Sequence, residues 1–250
     1  MAELKTNTFK AALQRMELQR GLWCTMSDQL AAEMMADCGF DWMMFDTEHS
    51  PMDPVGLLPL LQAVAPYPVT PIVRPTCLNA AEIKKLLDIG AQTILVPYVQ
   101  NSEEAAQAVA AVTYPPAGIR GVAGLTRATQ FGKIPGYHKR ARDEICLIVQ
   151  VETKEAMDNI ESIAAVDGID GVFVGPADLA ASLGYPGEPN HPEVTKAVLD
   201  SIRRIRAAGV PPGILTLSEE VRDQAIEAGA VFVAGDLDLA ALRKGLSLQG

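Results

Sequence analysis

Short apolar runs alternate with longer amphipathic stretches about eight times along this chain. The apolar runs are Gly21–Thr25, Trp42–Asp46, Thr70–Arg74, Thr93–Tyr98, Cys146–Val151, Gly171–Gly175, Pro212–Thr216 and Val231–Ala234. Several are continuous rather than alternating, as strands are when a parallel sheet is covered on both faces. Between them the spacing predicts helices. Ala80–Asp88 stops at Gly90, and Ser102–Val112 opens with Ser102 as N-cap and acids behind it. Glu193–Ala208 and Ser218–Ala228 stop at Gly209 and Gly229 in the C′ manner. This alternation, at a length of 250 residues, predicts one (β/α)₈ barrel domain spanning 1–250.

Two stretches break the rhythm. Thr113–Glu144 is rich in Gly, Pro and Arg, and Leu183–Pro192 in Pro and Gly. Long insertions in a barrel usually build the rim of the active site, so both are expected there. Hydrophobic residues make up 48% and charged residues 21%, which supports one large core and argues against disorder. The net charge of −10 disfavours nucleic acid and anionic membrane as partners. Cys24, Cys38, Cys77 and Cys146 form no CxxC pair; Cys24, Cys77 and Cys146 lie in or beside strands and are expected as buried thiols. The charged N-terminal stretch has no apolar signal region, and no apolar run reaches the ~20 residues of a membrane span, so a cytoplasmic protein is expected.

Acids and a histidine cluster at the strand ends. Glu152 and Asp178 close consecutive strands. Two neighbouring carboxylates repel unless a cation or proton lies between them, and a pair of carboxylates with waters is how Mg²⁺ or Mn²⁺ is usually held. Each acid alone also reads as a helix N-cap; the pair favours metal. His49, just past the Trp42–Asp46 run and near Asp46 and Glu48, suits a general base. His138 and His191 lie in loops and read as surface residues. Arg74 ends an apolar strand and needs an anion, either Asp46 or Glu48 or a substrate group. Arg120 and Arg127 either close over an anionic substrate, stay solvated or sit at a subunit interface. Gly175-Pro176-Ala177-Asp178 is a corner where backbone N–H groups can approach a ligand, or simply a strand-ending turn.

These motifs, taken together, resemble the metal-dependent (class II) pyruvate aldolases of the 4-hydroxy-2-oxoheptane-1,7-dioate aldolase / 2-dehydro-3-deoxyglucarate aldolase family. The matching stretches run from Gly39-Phe40-Asp41-Trp42 and Asp46-x-Glu48-His49, through Val73-Arg74-Pro75 and Lys85-Leu86-Leu87-Asp88-x-Gly90. They continue with Tyr114-Pro115-Pro116-x-Gly118-Ile119-Arg120-Gly121, Gln150-Val151-Glu152-Thr153 and Gly171–Leu179. The resemblance covers Phe9 to Leu246. It implies Glu152 and Asp178 as ligands of Mg²⁺, Mn²⁺ or Co²⁺, His49 as catalytic histidine and Arg74 as stabiliser of the enolate oxygen. Gln150 would lie near the metal, and the Gly175, Pro176, Ala177 and Asp178 backbone would hold the pyruvate carboxylate. Asp88 would pair with the histidine of a neighbouring subunit in a hexamer, a trimer of dimers with an exchanged C-terminal helix. The implied reaction is reversible cleavage of 4-hydroxy-2-oxo acids, as in aromatic catabolism, to pyruvate and an aldehyde such as succinate semialdehyde. The loop Gly121–Arg127 is about one residue shorter than this resemblance leads one to expect. A 2-dehydro-3-deoxy-sugar-acid aldolase is the alternative within the family. Outside it stand a Schiff-base aldolase using Lys154, an acyl-CoA lyase and a non-catalytic metabolite-binding barrel.

Overall fold

The structure, a computed structural model, describes residues 2–247; Met1 and residues 248–250 of the expected one-domain span lie outside the described residues. Eight parallel strands close into a barrel in sequence order: β1 Gln19–Cys24, β2 Trp42–Asp46, β3 Thr70–Arg74, β4 Thr93–Val96, β5 Cys146–Val151, β6 Gly171–Val174, β7 Pro212–Leu215 and β8 Phe232–Leu237. The expected (β/α)₈ fold is therefore present. β2, β3 and β5 keep the expected bounds, and the others shift at their ends. The largest shift is at β8, which runs through Gly235 and Asp236 where the apolar run has stopped. Among the described residues no helix is long and apolar enough to cross a membrane.

Inside the barrel, alternate residues of each strand face the axis. Phe9, Trp42, Phe173 and Phe232 are buried there with Trp23, Met44, Ile72 and Ile148, in a cluster separate from the larger one between strands and helices. Phe9 comes from the helix Thr8–Gln14 and packs edge-on against Trp42 and Phe232, with ring centroids 6.1 and 5.8 Å away. Glycines make room for these rings. A Cβ on Gly21 would lie 2.1 Å from the Trp42 ring, and one on Gly213 2.0 Å from the Phe232 ring. Gly21→Ala is expected to lower stability by about 1–3 kcal/mol or more through overpacking, seen as a lower urea midpoint at unchanged slope.

Several expectations are corrected. Asn101, not Ser102, caps the helix Ser102–Val112: its extended backbone lets Oδ1 accept from the Glu104 N–H at 3.0 Å. Neither Glu152 nor Asp178 is an N-cap. Thr153 caps Lys154–Asp158, Asp178 lies inside the first turn of Pro176–Ser182, and the helical run after Glu152 breaks at Asn159. The thiol of Cys77 is exposed, because its segment has already left β3; Cys24 and Cys146 are buried as expected, and all four cysteines are free. The segment 113–144 is not rim. It follows the helix Ser102–Val112 and leads back to β5, so it belongs to the N-terminal face, where its residues share a cleft with Thr70, Pro71 and Gln92. It also contains the helix Tyr137–Glu144, which opens at Gly136 in the left-handed region, φ 66°.

Candidate active site

The period of two that fills the barrel also carries its chemistry. Trp42 and Met44 lead to Asp46, Ile72 to Arg74, and Cys146 and Ile148 to Gln150 and Glu152, so polar side chains form the top inward layer at the C-terminal ends. Above it lies a cavity of about 410 Å³ lined by Trp23, Asp46, His49, Arg74, Gln150, Phe173, Gly175 to Asp178, Leu215, Leu237 and Leu239 among others. Clefts of about 840 and 670 Å³ lie elsewhere, between outer helices and on the N-terminal face. Neither gathers acids, a histidine and an arginine at the strand ends, so the smaller cavity is the candidate site.

Arg74 is buried and held on one side by carboxylates. Its Nε donates to Asp46 Oδ1 at 2.9 Å and its Nη2 to Asp46 Oδ2 at 2.6 Å, while Nη1 lies 2.8 Å from Glu48 Oε2. The guanidinium sits 4.8 Å from the centre of the Trp23 ring, whose Nε1 donates to Asp46 Oδ2. Both expected anions are thus present. Asp46 has no capacity for every guanidinium donor, and the rest of Arg74 lines the cavity. Burial opposes ionisation of Asp46, but the hydrogen bonds and charge of Arg74, with the Trp23 N–H, hold its carboxyl below the usual range. Burial pushes the Glu48 carboxyl up, against the pull of Arg74 and His49.

Glu152 is buried next to two residues that line the cavity, Gln150 and Gly175. Its Oε1 accepts from the Tyr98 backbone N–H at 2.7 Å, and Oε2 accepts from Gln150 Nε2. Burial, then the charge of Asp178, pushes the Glu152 carboxyl up to about 8. The β5–β6 pairing that places Val151 beside Val174 brings the two acids together. Gly175 lies between: a Cβ there would come within 2.7 Å of both Gln150 Nε2 and Glu152 Oε2. The Oε1 of Gln150 is buried without a partner. Among the described residues no group of three His, Cys, Asp or Glu side chains forms a metal cage. The fit to a hard cation rests instead on two acids that repel, an orphaned amide oxygen beside them and an open cavity with room for water and substrate oxygens, which suits Mg²⁺ or Mn²⁺. The helix Pro176–Ser182 starts on this wall with no side chain capping it, leaving backbone N–H groups of its first turn toward the cavity.

His49 is exposed on the rim; its backbone N–H, at 3.3 Å from Asp46 Oδ1, fixes the turn that carries the ring. Asp88 is not at this cavity. It ends the helix Ala80–Asp88 and accepts from Arg120 Nη2 at 3.1 Å. Arg120 is fully buried, 4.4 Å from the centre of the Tyr114 ring, and Arg127 donates to the Ile89 and Leu61 carbonyls. Neither arginine closes over the cavity, because both belong to the N-terminal-face segment. Lys154 is exposed at the start of its helix, outside the cavity lining. His138 and His191 are half-buried rather than free on the surface: His138 packs against Tyr114 and Tyr137, and His191 caps Pro192–Ala207 and stacks on Tyr185. Sequence reasoning missed Trp23 and the apolar wall of Leu215, Leu237 and Leu239.

Residues 19–244 match the HpcH/HpaI aldolase/citrate lyase family. The chain is 58% identical over 241 residues to a hydroxypyruvate/pyruvate aldolase from Sagittula stellata, covering 96% of this chain and 95% of that one. It is 51% identical over 240 residues to a 4-hydroxy-2-oxo-heptane-1,7-dioate aldolase from Salmonella heidelberg, covering 96% and 91%. Its fold superimposes with a TM-score of 0.93 on the crystal structure of an HpcH/HpaI aldolase/citrate lyase family protein from Burkholderia cenocepacia, at 37% identity and 96% coverage of both chains. The chain belongs to the HpcH/HpaI aldolase/citrate lyase family.

Proposed function

We propose that this chain is a divalent-metal-dependent pyruvate aldolase that cleaves 4-hydroxy-2-oxo acids to pyruvate and an aldehyde and runs the same path in reverse. It is a carbon–carbon lyase, like its named relatives. The observation that carries the reading is that buried Glu152 feels the charge of Asp178, which lines the cavity together with Arg74 and His49. Glu152 and Asp178 would hold Mg²⁺, Mn²⁺ or Co²⁺, which when bound supplies Lewis-acid charge for the keto oxygen of the substrate.

The protein's own groups do the rest. The first-turn N–H groups after Gly175 and Pro176 receive the pyruvate carboxylate. His49 removes a proton from the pyruvate methyl group for condensation. The cavity-facing N–H groups of Arg74 donate to the oxygen on which enolate charge develops, with Asp46 fixing the guanidinium plane. Trp23, Phe173 and Leu215 keep water from that charge. Gln150 holds Glu152 in place. Asp88, turned away from its own cavity, would reach the histidine of a neighbouring subunit in a hexamer with exchanged C-terminal helices. We place this single-domain enzyme in the cytoplasm.

The test is a panel of aldehydes with pyruvate or hydroxypyruvate, read by product mass. The expected result is aldol products that vanish with chelator and return with Mg²⁺, Mn²⁺ or Co²⁺. Inactivation by borohydride in the presence of pyruvate would place the chemistry on a lysine instead.

Proton transfer separates from metal binding in His49→Ala. The variant is expected to keep metal and pyruvate binding but to slow both aldol cleavage and deuterium exchange into the pyruvate methyl. Oxaloacetate decarboxylation needs no base to form the enolate, so its ratio to aldolase activity should rise. Equal losses in exchange and decarboxylation would mean that the base lies elsewhere.

A pH dependence follows from Glu152. In metal-free protein its raised carboxyl favours the protonated form, so this group's contribution to stability is full below its unfolded value near 4.5 and lost as pH rises toward about 8. Chelated protein is expected to lose thermal stability across that window, and Mn²⁺ added below pH 8 to release protons. Calorimetry in buffers of different ionisation enthalpy measures that release; a release of zero protons would contradict the assignment.

A further inference from the structure

We infer that Tyr98 is a positioning residue whose left-handed backbone, not its phenol, holds the metal ligand Glu152 in place; the inference rests on the reading of Glu152 as a ligand. Among the described residues four that are not glycine have positive φ: Met16, Tyr98, Gln130 and Phe131. Only the backbone of Tyr98, at φ 58°, hydrogen-bonds to a group of the candidate site. A bulky aromatic residue is uncommon in this region, since its Cβ crowds the following carbonyl, and such outliers persist where their surroundings demand them.

The demand is visible. β4 ends at Val96, paired with Val149 of β5. Two residues later the Tyr98 N–H points at Glu152 Oε1, 2.7 Å away, and the next N–H, of Val99, donates to the Gln150 carbonyl at 3.1 Å. In an extended chain successive N–H groups point to opposite sides. The left-handed turn at Tyr98 sends both toward β5, one to the acid and one to the strand that carries it. The residue is 59% exposed and is not part of the cavity lining, so the site makes no use of its phenol. Glu152 is therefore gripped at Oε1 by a fixed backbone dipole and at Oε2 by Gln150, which fixes the direction in which its remaining lone pairs point.

The experiment measures the Mn²⁺ dissociation constant of the full chain by electron paramagnetic resonance after chelation and dialysis. Tyr98→Gly and Tyr98→Asn tolerate the left-handed region and keep the N–H, and each should bind Mn²⁺ within a few-fold of the parent. Tyr98→Val, β-branched and opposed to positive φ, should weaken binding by roughly 10–100-fold, the range for an outer-shell partner. Comparable losses in all three variants would show that the phenol matters and overturn the inference, as would undiminished binding in Tyr98→Val. Amide hydrogen exchange gives an arm without a Tyr98 variant: Glu152→Ala should speed exchange at Tyr98 far more than at Val99. No such difference would also overturn the inference. If Glu152→Gln left Mn²⁺ binding intact, the ligand reading itself would fail, which the Tyr98 series alone would not signal.

Discussion

Arg74→Ala is expected to lower kcat by roughly 10²–10³-fold, the range for removing one donor to a developing oxyanion. The effect is larger than that of a rim residue because the guanidinium is buried and aimed. Asp46 takes two of its donors in a bidentate pair and Trp23 covers its face, so little reorganisation remains at the moment charge develops. The same burial predicts a second loss. Without Arg74, the carboxylates of Asp46 and Glu48 face each other in a poorly solvated site, and breaking a buried pair typically costs about 3–5 kcal/mol. Urea unfolding should register that cost, partly relieved by proton uptake on Asp46. Arg74→Lys should recover stability better than rate, since an ammonium supplies charge but not the planar fork. A variant with unchanged kcat and only lowered stability would make Arg74 a structural residue.

Glu152→Gln is expected to abolish aldol cleavage, methyl exchange and oxaloacetate decarboxylation together, by weakening metal binding beyond the roughly 10–100-fold typical of an outer-shell change. The shape of the site barely alters, so the loss reports charge. In chelated protein the same substitution removes the repulsion with Asp178 and the burial of an ionisable group. The chelated variant should therefore melt higher than chelated wild type above neutral pH, while addition of Mn²⁺ should stabilise only the wild type. That opposition of stability and activity, followed by scanning calorimetry and steady-state rates, is not expected of an acid with a purely structural role.

Much of this site was legible because polar residues stand out at the ends of apolar strands. Asp46, Arg74, Gln150 and Glu152 interrupt runs such as Trp42–Phe45 and Cys146–Val149, and interruption marks both the strand end and the inward face. The apolar side of the cavity was not legible for the converse reason. Trp23 and Leu215 continue the character of their strands, and a continuous run does not say which residue faces the axis. Leu237 was harder still, because Gly235 and Asp236 conceal the last turn of β8. The enclosure of Arg120 was not legible, since arginine in a glycine-rich loop ordinarily remains in water; here Tyr114, Tyr137 and Asp88 enclose it. Cys77 looked buried by proximity to β3, but the chain leaves the barrel wall after Arg74. The left-handed Tyr98 had no sequence signal, since nothing but its hydrogen bonds to β5 requires it.

Glu152 and Asp178 would hold a cation whose charge acidifies the pyruvate methyl group for proton removal. Deuterium exchange into that methyl group, followed by proton magnetic resonance in heavy water without any aldehyde, tests it most directly. Wild-type protein should exchange with Mg²⁺, stop on chelation, resume with Mn²⁺ or Co²⁺ and be indifferent to borohydride. Exchange that continues at full rate in thoroughly chelated protein would contradict it.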